Sequence, residues 1–146
     1  GDLRDDKPGT DEVVRRLKKV APKAEKAGVI LGIESWLSAE AHMDIIQRVG
    51  SPAVQVYYDV CNSTVRGYDI LKEIRWLGKQ KVICEFHAKE NGQLLGKGPV
   101  DFKAVRAALD DIGYAGWTQI EGAVPDGAPM LDSYIANQKF LRAILG

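Results

Sequence analysis

Apolar positions along the chain follow two alternating rhythms. Short β-rich runs, Val29 to Glu34, Val54 to Asp59, Lys81 to His87 and Trp117 to Glu121, each end on a polar residue. Each is followed by a loop and then by a stretch whose apolar residues recur at helical spacing, most of these closed by a glycine. Strands alternating with amphipathic helices are the βα pattern of a parallel sheet. The first helix is predicted over about Asp11 to Ala27, capped by Thr10 or Asp11, ended by Gly28 and kinked or divided at Pro22. Ser38 is predicted to cap a helix running to Val49 and ended by Gly50. A polar loop around Asn62-Ser63-Thr64 precedes a helix from about Tyr68 to Leu77. Asp101 caps the next, to about Ile112, and the last, about Met130 to Leu145, is expected to turn Leu131, Ile135, Phe140, Leu141 and Ile144 toward a core.

Each of the four predicted strands ends in a metal-ligand type: Glu34, Asp59, His87 and Glu121. Successive members are separated by about 30 residues, the length of one βα unit. When parallel strands close into a barrel, their C-terminal ends converge on the face where active sites are built, so these four distant residues become neighbours. Three clustered carboxylates repel one another unless a cation sits among them. Three carboxylates and an imidazole, with no thiolate, suit Mn²⁺ or Mg²⁺ first, with Co²⁺ or Zn²⁺ as alternatives.

Composition narrows the classes. Hydrophobic residues make up 45% and charged residues 27% of the 146, the profile of a globular domain. Twenty basic residues balance twenty acidic ones without a like-charge block, which argues against a nucleic-acid or membrane-surface partner. No segment has the roughly 20 apolar residues of a bilayer span, and the first residues lack the apolar core of a signal peptide; a cytoplasmic location is expected. Cys61 and Cys84 are read as reduced thiols in or near the core rather than a disulfide.

The segments Gly32-Ile33-Glu34, Tyr58-Asp59-Val60-Cys61-Asn62, Phe86-His87-Ala88-Lys89-Glu90 and Gln119-Ile120-Glu121-Gly122, with the loop Leu95-Gly96-Lys97-Gly98-Pro99-Val100-Asp101-Phe102, resemble the xylose isomerase-like TIM-barrel superfamily of sugar phosphate isomerases and epimerases. The resemblance covers nearly the whole chain and corresponds to strands five to eight, so residues 1–146 are expected to form a single unit: the C-terminal half of a (β/α)8 barrel. Such a half leaves two open sheet edges. A fragment, a self-associating half barrel and a chain docked on a separate N-terminal half would each resolve that, and the abrupt start favours a fragment.

The resemblance implies a divalent-metal-dependent isomerase or epimerase acting on a small sugar or polyol derivative through a metal-stabilised enediolate. Glu34 and Glu121 would be both metal ligands and the groups that move the proton. The chain departs from the ketose epimerases at Asn62, where they carry histidine, and after His87, where their arginine is missing. Asn62, Lys89 and Trp36 are the candidate substrate contacts. Lys89 binds a phosphate or carboxylate, stabilises an enolate, or is a plain loop lysine. Trp36 walls a sugar face or fills core. The Gly96-Lys97-Gly98 loop cradles an anion or is a plain turn, and His42 is structural. An inosose-type dehydratase using the same metal and base, and a non-catalytic binding or assembly module, are the competing readings. Two histidines are too few for a multi-zinc endonuclease.

Overall fold

The structure is a computed structural model that describes residues 2–146. Its four strands, β1 (Leu31–Ile33), β2 (Val54–Asp59), β3 (Ile83–Glu90) and β4 (Trp117–Gly122), form one sheet in the order β1-β2-β3-β4, every pair parallel. Six helices accompany them: α1 (Lys7–Ala27), α2 (Ala39–Val49), α3 (Val60–Val65), α4 (Ile70–Lys79), α5 (Phe102–Asp111) and α6 (Met130–Leu145). Alternation along each strand divides the sheet. Val54, Val56 and Tyr58 of β2 and Phe86 and Ala88 of β3 are buried in the main core, with Ile74 and Leu77 of α4 and Val105, Ala108 and Leu109 of α5. The opposite face carries polar and aromatic side chains.

Local chemistry explains most element ends. The Ser38 hydroxyl accepts from the backbone N–H of Ala41, and Gly50 closes α2 in the left-handed conformation that a Cβ disfavours. Helix α1 starts earlier than Thr10 because the Asp6 carboxylate caps it by accepting from the Gly9 N–H, with a proline in its first turn. It also runs through Pro22 unbroken: the prolyl ring lies on the exposed side, where water can pair the carbonyl left without an amide partner. Helix α3 is absent from the sequence expectation, which placed a polar loop there. It forms because the Asp59 carboxylate accepts from the Asn62 N–H and the Thr64 hydroxyl donates to the Val60 carbonyl.

The inward face of α6 differs in part from the expected one, although Phe140, Leu141 and Ile144 pack on the core as expected. Leu131 and Ile135 are exposed, whereas Ser133, Asn137 and Leu141 are buried. Asn137 fixes this rotation, since its Nδ2 donates to the Ala123 carbonyl at 2.7 Å and its Oδ1 accepts from the Leu95 N–H at 2.9 Å. Two buried backbone groups of neighbouring loops are satisfied only when Asn137 points in, and that outweighs burying two more apolar side chains.

Glu90 ends β3 fully buried, and its carboxylate faces the backbone N–H groups of Gly96, Gly98 and Val100. Burial pushes its pKa up, and those three N–H groups hold it partly down. The glycine loop therefore faces a carboxyl group, and that group is the chain's own: the Val100 N–H donates to Glu90 Oε1 at 3.3 Å. A Cβ built on Gly98 would lie 2.1 Å from Glu90 Oε2. Gly98→Ala is expected to cost about 2 kcal/mol or more by forcing this buried carboxylate off its donors. Urea unfolding of the variant beside wild type measures the loss; an unchanged midpoint would contradict the clamp.

Candidate metal and acid/base site

Glu34 follows β1, Asp59 ends β2, and His87 and Glu121 lie near the ends of β3 and β4. Pairing sets them side by side, with Asp59 opposite His87. That register depends on an irregularity between Val56 and Tyr57: Val56 pairs with Ile83, but Tyr57 pairs with Glu85. Without the extra residue Asp59 would pair with Phe86, and because strand faces alternate, His87 would turn toward the helices. The bulge is thus what brings the imidazole to the carboxylates.

Each of Glu34, Asp59, His87 and Glu121 offers one donor atom, and the four atoms lie within 4.8 Å of one another. His87 Nδ1 is 3.5 Å from Asp59 Oδ2 and 3.3 Å from Glu121 Oε2. None of these three buried atoms makes a hydrogen bond of good geometry. Buried polar atoms are rarely left so, and three converging on one point with oxygen and nitrogen lone pairs fit the needs of a divalent ion. The donor set could hold one such ion.

Surrounding groups set each donor's orientation. Asn62, 1% exposed, donates from Nδ2 to Glu34 Oε1 at 2.8 Å, while its backbone N–H donates to Asp59 Oδ1 at 2.7 Å. It lies beneath two of the carboxylates and orients them. The Tyr57 ring packs on the His87 ring with centroids 4.1 Å apart, and its hydroxyl donates to Gln119 Oε1 at 2.5 Å. Tyr57 and Gln119 were not singled out from the sequence; their positions two residues before Asp59 and Glu121, on the same strand face, are the signal that could have found them.

Lys89 is not a loop lysine. Strand β3 continues through it to Glu90, so Lys89 shares the face of His87 two residues earlier, and its side chain is 14% exposed. Its Nζ is 2.9 Å from Glu121 Oε2 and 3.5 Å from Asp59 Oδ2. Burial pushes the Asp59 carboxyl up, only partly offset by the Asn62 N–H, Lys89 and His87, with Glu34 pushing it further up. The shallower Glu121 feels burial too, but Lys89 and His87 outweigh it and hold its pKa below the usual range. Trp36 stands beside the site, its ring 5.9 Å from Lys89 Nζ and 5.1 Å from Arg66 Cζ.

His42 lies behind this face. Its ring nitrogens contact the Ser35 hydroxyl at 2.9 Å and the Ser38 carbonyl at 3.0 Å, and the Ser35 hydroxyl accepts from the Leu37 N–H. The imidazole thereby ties down the loop that follows Glu34 and carries Trp36. Glu73 secures the end of the same loop, accepting from the Ala39 N–H at 2.9 Å and the Tyr58 hydroxyl at 2.6 Å. A surface cavity of about 770 Å³ is lined by Leu3, Asp6, Leu37, Asp44 and Arg48 among others and includes none of the four donors.

Fold and site together define a parallel βα unit with a candidate metal centre at its strand ends. Residues 2–144 match the family of the xylose isomerase-like TIM barrel, and the chain belongs to that family. It is 27% identical over 135 residues to the D-psicose 3-epimerase of Enterocloster bolteae, covering 86% of this chain and 44% of that protein. Among solved structures, a D-psicose 3-epimerase from Clostridium cellulolyticum H10 in complex with D-tagatose superposes with a TM-score of 0.76 at 23% identity, covering 93% of this chain and 56% of that one. A D-allulose 3-epimerase from Methylomonas sp. gives 0.80 at 16% identity, with 99% and 57% covered. A 3-keto-D-glucoside 4-epimerase from E. coli gives 0.79 at 17%, with 92% and 53% covered. The chain spans about half the length of the relatives it matches. The parallel sheet with alternating helices agrees with the expected barrel architecture. No helix among the described residues is long and apolar enough to cross a membrane, and both cysteines are free.

Burial pushes the His42 pKa down to about 4, against the pull of the Ser38 carbonyl. Between its unfolded value near 6.5 and about 4, only the unfolded chain takes up the proton, so folding stability is full above this window and falls as pH drops through it. The loss reaches about 3 kcal/mol at its lower end. Unfolding of wild type and His42→Gln at pH 7 and pH 4.5 is expected to show a steeper acid loss in wild type; parallel losses would contradict a buried neutral imidazole.

Proposed function

We propose that this chain carries the metal-holding and proton-transfer residues of a divalent-metal-dependent isomerase or epimerase acting on a small sugar or polyol derivative. The observation that carries this reading is the convergence of Glu34, Asp59, His87 and Glu121 within 4.8 Å at neighbouring strand ends. The epimerase relatives support the same chemistry. Glu34, Asp59, His87 and Glu121 would hold one ion, for which Mn²⁺ or Mg²⁺ suits the oxygen-rich set best and Co²⁺ or Zn²⁺ less well. When bound, such an ion polarises a substrate carbonyl and the neighbouring hydroxyl, lowering the cost of an enediolate.

The chain's own residues supply the rest. One of Glu34 and Glu121 removes the proton from the carbon beside the carbonyl, and the other returns it to the opposite face. With its pKa held low before an ion binds, Glu121 is a carboxylate, the form that can accept a proton. Asn62 keeps one Glu34 oxygen engaged and leaves the other to act. Trp36 offers an apolar wall for a sugar ring, with Lys89 at its edge. The sheet edges are part of the reading. Val29 and Ile30 before β1, and Trp117, Met130, Leu131 and Ile135 near β4 and α6, are exposed, Trp117 at 82%. Large apolar groups at both edges support residues 1–146 as the C-terminal half of a barrel, completed by an N-terminal half or a second copy.

Elemental analysis of the protein is expected to find about one divalent ion per chain, lost in His87→Ala. With keto sugars in D₂O, NMR is expected to show deuterium entering the carbon beside the carbonyl. Glu34→Gln and Glu121→Gln are each expected to slow this by a factor on the order of 10² to 10⁴ with the fold preserved. Turnover that survives both substitutions would end the proton-transfer assignment, and loss of water from the product would point to a dehydratase.

A further inference from the structure

Lys89 and His87 approach the same two atoms. Lys89 Nζ lies 2.9 Å from Glu121 Oε2 and 3.5 Å from Asp59 Oδ2, and His87 Nδ1 lies 3.3 Å and 3.5 Å from those oxygens. For Asp59 this is the one oxygen left open, since the Asn62 N–H holds the other, and an ammonium and a divalent ion drawn to the same two oxygens repel each other at such short range. Lys89 has somewhere to go. The Trp36 ring is 5.9 Å from Nζ, with Arg66 Cζ at 5.1 Å from the same ring, and an indole has two faces, each able to accept a cation through its quadrupole. Charge also keeps it nearby, because three carboxylates outweigh a single divalent ion by one unit.

We propose that Lys89 is an exchangeable internal cation: its ammonium holds Asp59 and Glu121 together until a divalent ion takes their oxygens, and then moves to the Trp36 side of the site. The proposal rests on the metal-site reading above. It makes Lys89 a residue whose availability to substrate depends on metal loading, so that the site offers its free cationic group only when the metal is in place. A fixed strut, bonded to Glu121 in either condition, is the alternative geometry.

The test uses the full-length protein, stripped with chelator and titrated calorimetrically with Mn²⁺ alone at fixed pH and salt, as wild type and Lys89→Met. The exchange predicts at least tenfold tighter Mn²⁺ binding by Lys89→Met. It also predicts that the variant melts several degrees below wild type in chelator, a gap that narrows when both are saturated with Mn²⁺. Equal or weaker binding by the variant, with wild type binding normally, overturns the exchange and leaves the metal site standing. Binding by the variant but not by wild type supports it; binding by neither removes both the metal site and the exchange. Where Lys89→Met fails to fold, reductive methylation of wild type followed by mass spectrometry decides. Lys89 is expected to be modified several-fold faster with Mn²⁺ than with chelator, and an equal or slower rate overturns the proposal.

Discussion

Everything at the strand ends follows from bringing three carboxylates to one point. Parallel pairing aims Glu34, Asp59 and Glu121 at a shared centre, and their repulsion has to be offset within the chain or by a bound cation. The structure handles the three separately. Asp59, the deepest, gives one oxygen to the Asn62 N–H at the start of α3 and turns the other to the centre. Glu34 is held through Oε1 by the Asn62 amide, and Glu121 meets Lys89. One residue, Asn62, thus serves two carboxylates, through its backbone and through its side chain. A side chain at that position without a donor would leave Glu34 without its hydrogen bond while Asp59 kept its own.

Precision at the centre depends on polar groups buried behind it. Glu73 ties the start of α2 to Tyr58, His42 ties Ser35 to Ser38, Glu90 ties β3 to the glycine loop, and Asn137 ties α6 to two loops. Apolar packing tolerates small displacements, whereas each of these contacts fixes one segment of irregular backbone against a regular element. Donors that must meet within a few ångströms need that kind of restraint, because strand ends pass directly into loops. The buried acids and the buried histidine behind the site are therefore part of the same construction as the four donors, although they touch no reacting atom.

Much of this was legible in the residues. Strand β2 and helix α2 start and stop where their apolar pattern and caps say, since Ser38, Gly50 and the run Val54 to Asp59 carry strong local signals. The four strand-end donors could be read because a side chain able to ligate a metal recurs at one point of a repeated unit. What escaped depends on contacts distant in sequence. Helix α3 is too short for apolar periodicity and is nucleated by Asp59, which reads as a site residue rather than a cap. The polar pair Lys89-Glu90 reads as loop, yet β3 extends through it because Glu90 meets the N–H groups of the glycine loop, Val100 among them, and Lys89 finds two carboxylates. The bulge beside Val56 leaves no mark in composition. Leu131 and Ile135 were misplaced because Asn137 decides the rotation of α6, and its partners Leu95 and Ala123 belong to other loops.

On the proposed reading, holding the ion and recognising the substrate are separable tasks. All four donors lie in or directly after adjacent strands of one sheet, and their orienting partners Asn62, Tyr57, Gln119 and Lys89 come from the same strands or from α3, which follows β2. Nothing in that set requires a residue from beyond the edges of β1 and β4. A substrate needs walls on more than one side, and on this reading Trp36, beside Lys89, supplies one. The ion and the proton-transfer carboxylates therefore depend on the register of this sheet, whereas the choice of sugar depends on what completes the barrel. Substitutions at the β2–β3 bulge should act on the first property, and changes in whatever covers the edges should act on the second.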